Sequence, residues 1–119
     1  MPAKKSFDTT LKHKDKERRF IHEAEDFVVF SLGPYKLASA IATRIKELQA
    51  TSTLDDMRFL AGKIEELKGQ RKGQFSIRLS ANFRLIFEPN HDPVPTKADG
   101  GISWVAVTRV KILEVEDYH

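Results

Sequence analysis

The chain has 119 residues, no cysteine and a net charge of +3 at neutral pH, enough length for one hydrophobic core and too little for two. The lack of cysteine excludes a disulfide framework and any thiolate metal site, and no apolar run approaches the roughly 20 residues a membrane-spanning helix needs. The N-terminus is basic but has neither the apolar stretch nor the small-residue cleavage site of a secretory signal, so a soluble cytoplasmic protein is expected. Charge is unevenly placed: residues 1–19 hold seven Lys or Arg against three acids, and the remainder is nearly neutral.

In chain order, residues 1–14 read as a basic arm or a short edge strand around Lys5 to Thr9, ahead of a single domain over 15–119. Phe20, Ala24, Phe27 and Val28 recur at helical spacing and predict an amphipathic helix from about Asp15 to Phe30. Ser31-Leu32-Gly33-Pro34 breaks it. Pro34 suits the first turn of a second helix, whose stripe of Leu37, Ile41, Ile45 and Leu48 runs to about Gln49. Two helices joined by so tight a turn should pack antiparallel. Thr53 followed by Asp56 has the spacing of a capping box and predicts a short helical turn through Phe59.

The chain then changes period. Phe75 to Leu79 and Phe83 to Glu88 alternate, with Ser80-Ala81-Asn82 as a hairpin connection. Odd positions Phe75, Ile77, Leu79, Phe83, Leu85 and Phe87 make one apolar face. Even positions Gln74, Ser76, Arg78, Asn82 and Arg84 make a polar face broken by Ile86. Residues 89–101 are rich in Pro and Gly and predict a long irregular connection. Trp104 to Val115 reads as one long strand, apolar on both faces at its centre and therefore internal to the sheet. Glu116, Asp117, Tyr118 and His119 are expected to leave the sheet together. The whole predicts an α+β fold, a helical hairpin packed on an antiparallel sheet.

Two segments carry chemistry. Leu67 to Phe87 holds Lys68, Arg71, Lys72, Arg78 and Arg84 with no Asp or Glu, a local concentration of charge suited to phosphate. The C-terminus holds an acid, a phenol and an imidazole in succession. Cations beside proton-transfer groups are what phosphodiester cleavage requires, and RNA supplies its own nucleophile in the 2′-hydroxyl. A guanidinium such as Arg84 can hold two phosphate oxygens, although a cross-strand ion pair with Glu88 or Glu114 is a competing use for it. Asp117 could serve as a base or as an orienting group for His119 or Arg84; Tyr118 could stack on a base or donate a proton. Lys68, Arg71, Lys72 and Arg78 are candidate RNA-binding residues. His13, His22 and His91 and the acids around Asp55 and Glu65 show no metal-ligand spacing, so neither metal nor cofactor is expected.

Leu67-Lys68-Gly69, Lys72-Gly73-Gln74-Phe75-Ser76-Ile77, Asn82-Phe83-Arg84-Leu85-Ile86-Phe87 and the terminal Asp117-Tyr118-His119 together resemble the HigB-type killer toxins of bacterial toxin-antitoxin modules, within the RelE/ParE superfamily. The likeness extends from about Leu37 to His119. The long Pro and Gly loop with Trp104 is similar to a subgroup sometimes labelled killer suppression protein. The resemblance implies a RelE-like fold, two helices on a curved antiparallel sheet, and a metal-independent endoribonuclease that cleaves messenger RNA on the ribosome. It also implies an antitoxin with a helix-turn-helix, through which alone the complex touches operator DNA. Lys68, Arg84, Asp117, Tyr118 and His119 match the family's catalytic positions. Two positions depart: the usual histidine before Lys68 is Glu65, and an arginine common after Lys-Gly is Gln74. Other readings within the superfamily are a gyrase-poisoning toxin, a neutralising partner, and a toxin-like scaffold without activity.

Overall fold

Alternation between Phe75 and Phe87 forces two strands to share one dry face, and the sheet is built outward from that pair. The computed structural model describes residues 7–10 and 38–117. The expected helix Asp15–Phe30, its break at Ser31 to Pro34, and the terminal Tyr118 and His119 lie outside the described residues.

Five antiparallel strands form one sheet: β1 Phe7–Thr10, β2 Glu65–Glu66, β3 Phe75–Arg78, β4 Phe83–Pro89 and β5 Arg109–Asp117, in the spatial order β1-β5-β4-β3-β2. The helix α1, Ala38–Ala50, supplies the second layer. Its stripe Ile41, Ile45 and Leu48 is fully buried, as helical spacing requires. These side chains pack on the odd face of β3 and β4, where Phe75, Ile77, Leu85 and Phe87 have no exposed surface. Burial of each such side chain stabilises the fold by about 1.5–3 kcal/mol. Phe75 and Phe87 face each other across the strands with their rings stacked at 5.6 Å.

Short turns close the layers. Asp56 accepts hydrogen bonds from the backbone N–H of Ser52 and Thr53, fixing the start of a 3-10 turn over Leu54–Phe59 where capping was expected. At the hairpin, Leu79 N–H donates to the Phe83 carbonyl, and the Ser80 hydroxyl accepts from the Asn82 and Phe83 amides. Ser80-Ala81-Asn82 therefore turns the chain as expected.

Two expectations are corrected. The strand predicted from Trp104 begins only at Arg109, because Trp104–Ala106 forms a 3-10 turn. Long-range contacts pin that turn: the Trp104 ring meets Phe75 edge-on at 5.2 Å, its Nε1–H donates to Glu66, and Arg58 lies 3.9 Å over its face. At the other end Glu116 and Asp117 do not leave the sheet, since they pair with Arg84 and Phe83 as part of β5. β5 does lie between β1 and β4, the internal place its apolar centre predicted.

A bulge in β5 sets the chemistry of the other face. Phe87 pairs with Ile112 and Ile86 with Glu114, so Leu113 is an extra residue with no partner on β4. In an unbroken strand Ile112, Glu114 and Glu116 would share a face. The bulge lets Val110 and Ile112 enter the core while Glu114 and Glu116 turn to the polar side, opposite Ile86 and Arg84.

Candidate functional site

The strand register assembles a charged row across the face turned away from α1. Arg78 of β3 is directly opposite Arg84 of β4, and Arg84 is directly opposite Glu116 of β5. Like charges placed opposite one another repel, so the pair of arginines needs an acid beside it. Glu116 supplies it: Oε1 accepts from Arg84 Nε at 2.8 Å and also from Nη2. Its second oxygen, Oε2, accepts from Arg71 Nε at 2.9 Å. Glu116, which the register sets directly opposite Arg84 and two residue pairs beyond Glu114 toward the strand end, is thus an ion-pair partner of Arg84 that the sequence reading, with Glu88 and Glu114, did not name.

Arg71 arrives from the turn between β2 and β3. That turn, a 3-10 segment over Gly69–Arg71, relies on positive φ at Gly69 (64°) and Gly73 (90°), a conformation glycine adopts without steric cost. It closes through Leu67 N–H to the Gln74 carbonyl at 2.8 Å and Gln74 N–H to the Arg71 carbonyl at 2.9 Å. The Arg71 guanidinium donates to Gln74 Oε1 at 2.8 Å, to Glu114 at 3.0 Å and to Glu116. Since β4 lies between β3 and β5, Arg71 spans β4 on the polar face. Gln74, one of the two departed family positions, is therefore the group that steadies Arg71.

These contacts move proton affinities in opposite directions. Partial burial of Glu116 works against its charge, but the hydrogen bonds and charges of Arg84 and Arg71 outweigh it and hold the carboxyl below the usual range. Burial likewise works against the Arg71 charge, and Glu114 and Glu116 reverse it, so Arg71 is held more firmly cationic than usual. Because the folded Glu116 pKa is depressed, its stabilisation is complete above the unfolded glutamate value of about 4.3 and is lost as pH falls through the folded value. Glu116→Gln should therefore unfold about 1–2 kcal/mol more easily at pH 7. The gap from wild type should close in acid; a gap independent of pH in urea titrations would show that the carboxylate charge is not what stabilises.

Beside this network is a groove of about 270 Å³ lined by Lys63, Glu65, Ser76, Arg78 and Arg84. Arg44 of α1 ties down the end of β3 beside it: Arg44 Nε–H donates to the Arg78 carbonyl at 3.0 Å, while the same guanidinium pairs with Glu47 at 3.0 Å. Sequence reasoning missed Lys63, Arg44 and Glu116. Glu116 could have been found from the shift of apolar positions, Val110 and Ile112 to Val115, which marks the bulge; nothing local signals Lys63 or Arg44.

The structure brings Arg84, Arg78 and Arg71 together on one face and sets Lys68, Lys72 and Asp117 apart from that row. Lys68 and Lys72 flank the 3-10 turn as exposed residues, outside the charged row. Asp117 ends β5 opposite Phe83, on the alternate face from Glu116, and is exposed. Glu116, on the face of Arg84, is a carboxylate that bonds its guanidinium. Glu65, at the family's histidine position, is exposed and pairs with Ser76 at the groove edge. Among the described residues no group of His, Asp and Glu has the arrangement of a metal site, and no helix is long and apolar enough to cross a membrane.

No curated protein matches the sequence. A family model described as the RelE-like toxin of the type II toxin-antitoxin system HigB matches residues 10–96, well over half of the chain. The match takes in α1, β2, β3 and β4 with Lys68, Arg71, Arg78 and Arg84, and it ends before β5. The α+β architecture agrees with it, and the chain belongs to the HigB-like family of RelE-like toxins of type II toxin-antitoxin systems.

Proposed function

We propose that this toxin is a cytoplasmic, ribosome-dependent endoribonuclease that cleaves messenger RNA, with the polar face of the sheet as its substrate surface. The observation that carries the reading is the row Arg78, Arg84 beside a groove, on the face left uncovered by α1. In-line attack by the 2′-oxygen on the adjacent phosphorus forms a 2′,3′-cyclic phosphate and expels the 5′-oxygen. The crowded phosphate gains negative charge at its equatorial oxygens, and fixed guanidinium groups stabilise that charge without reorganising. Arg84 takes this role, with Lys68 and Arg78 on flanking phosphates. Glu116 fixes the Arg84 guanidinium before substrate arrives, through its Nε and Nη2 edge. Asp117, Tyr118 and His119 remove the 2′-proton and protonate the leaving oxygen. A helix-turn-helix antitoxin is the partner that restrains the activity.

The C-terminal assignment has a clean test, because β5 runs to Asp117 and a chain ending there keeps every described strand pair. On induction, the full chain should arrest growth and fragment messages, and the chain lacking Tyr118 and His119 should fold and do neither. Continued cleavage by the shortened chain would remove both residues from catalysis. A second reading, a toxin that acts by binding DNA gyrase, draws on the engagement of both Arg71 and Arg84 by Glu116, which offsets their charge. Arrest with intact messages and induced DNA damage would favour it.

A further inference from the structure

We infer that Lys63 is a phosphate-binding residue of the groove, holding a backbone phosphate of single-stranded RNA beside the one taken by Arg84. The inference rests on the nuclease reading for its ligand, but on separate observations for its residue. Lys63 has a φ of 51°, and among the described residues it is the non-glycine in the left-handed region. A side chain there costs about 1–2 kcal/mol relative to ordinary backbone, and such strain persists where surrounding structure enforces it.

The enforcement is visible on both sides. Gly62 precedes it, and its carbonyl accepts the Arg78 amide at 2.6 Å, tying the chain to the end of β3. A Cβ on Gly62 would come within 3.3 Å of Arg44 Cδ and 3.4 Å of Ile77 Cβ, so the close approach suits glycine. Two residues after Lys63, Glu65 enters β2 and pairs with Ser76. The amide of Lys63 itself donates to the Leu60 carbonyl at 3.4 Å. Held between these ties, the exposed Lys63 lines the groove together with Arg78 and Arg84.

Charge bookkeeping separates Lys63 from its neighbours. Arg71 and Arg84 are both engaged by Glu116. Lys63 makes no ion pair or side-chain hydrogen bond among the described residues, although Glu65 lines the same groove. A cation kept in a strained conformation, lining a groove and lacking a partner among the described residues, is placed for an anionic ligand. Phosphate of a strand already crossing Arg84 and Arg78 meets that description, and an ammonium serves as a point charge for it.

The test uses the full chain and a fluorescein-labelled single-stranded RNA oligonucleotide, with affinity followed by anisotropy as salt is varied. Each phosphate contact contributes a slope of about −0.7 in log K against log salt for single strands. Lys63→Asn keeps a residue that tolerates positive φ and removes the charge, so its slope should be shallower by about 0.7 with thermal stability equal to wild type or higher. Lys63→Gly should behave alike, and Lys63→Arg should restore the wild-type slope. Slopes unchanged in Lys63→Asn and Lys63→Gly would overturn the inference, as would a wild type that binds no RNA at low salt. A Lys63-dependent slope in a protein that leaves cellular messages intact would retain the phosphate site and remove the nuclease reading instead.

Discussion

Arg84→Ala should reduce cleavage of a message on programmed ribosomes by about 10²- to 10³-fold in single-turnover assays, the loss typical of removing one preorganised donor to a developing oxyanion. Folding should survive, because Glu116 keeps its bonds to Arg71 and the substituted side chain belongs to the polar face rather than the core. Arg84→Lys should recover only part of the rate, since an ammonium keeps the charge but not the planar fork that Glu116 aligns through Nε and Nη2. Equal rates for wild type and Arg84→Ala would place the reacting phosphate elsewhere. The salt-slope behaviour expected of Lys63 would then be the sole support for RNA on this face.

Phe75→Ala is expected to be the most damaging single change to stability. The ring is fully buried, stacked on Phe87 across the strand pair and edge-on to Trp104, so truncation opens a cavity where helix-facing and loop-facing contacts meet. Such truncations cost about 3–5 kcal/mol, a large part of the 5–15 kcal/mol that holds a typical domain. The urea midpoint should fall accordingly. Phe59→Ala makes the contrast, because that ring is 84% exposed and its loss should change stability by no more than about 0.5 kcal/mol. Comparable shifts for the two variants would contradict the assignment of Phe75 to the core.

Periodic features were legible in the sequence and relational ones were not. The stripe Ile41, Ile45, Leu48 announced a helix, and the alternation from Phe75 to Phe87 announced both strands and the dry face, because burial on one side imposes a period on the chain. The two-residue strand Glu65–Glu66 has no period to read, since its place depends on β3 beside it. Trp104–Ala106 looked like strand because its residues are apolar. Its turn is dictated by Phe75, Glu66 and Arg58, all at least 29 positions away in sequence. At the site, alternation placed Arg84 and Arg78 on the polar face together. Their partner Glu116 was not so placed, because its face depends on the bulge at Leu113, a break of phase within a strand that otherwise reads as continuous.

Cleavage itself is tested most directly by mapping new messenger RNA 5′ ends after induction of the wild-type chain, with translation running and with translation blocked. New ends that appear within translated reading frames, and vanish when ribosomes are kept off the message, are the predicted result. Growth arrest with no new ends, or ends that persist without translation, would contradict a ribosome-dependent nuclease.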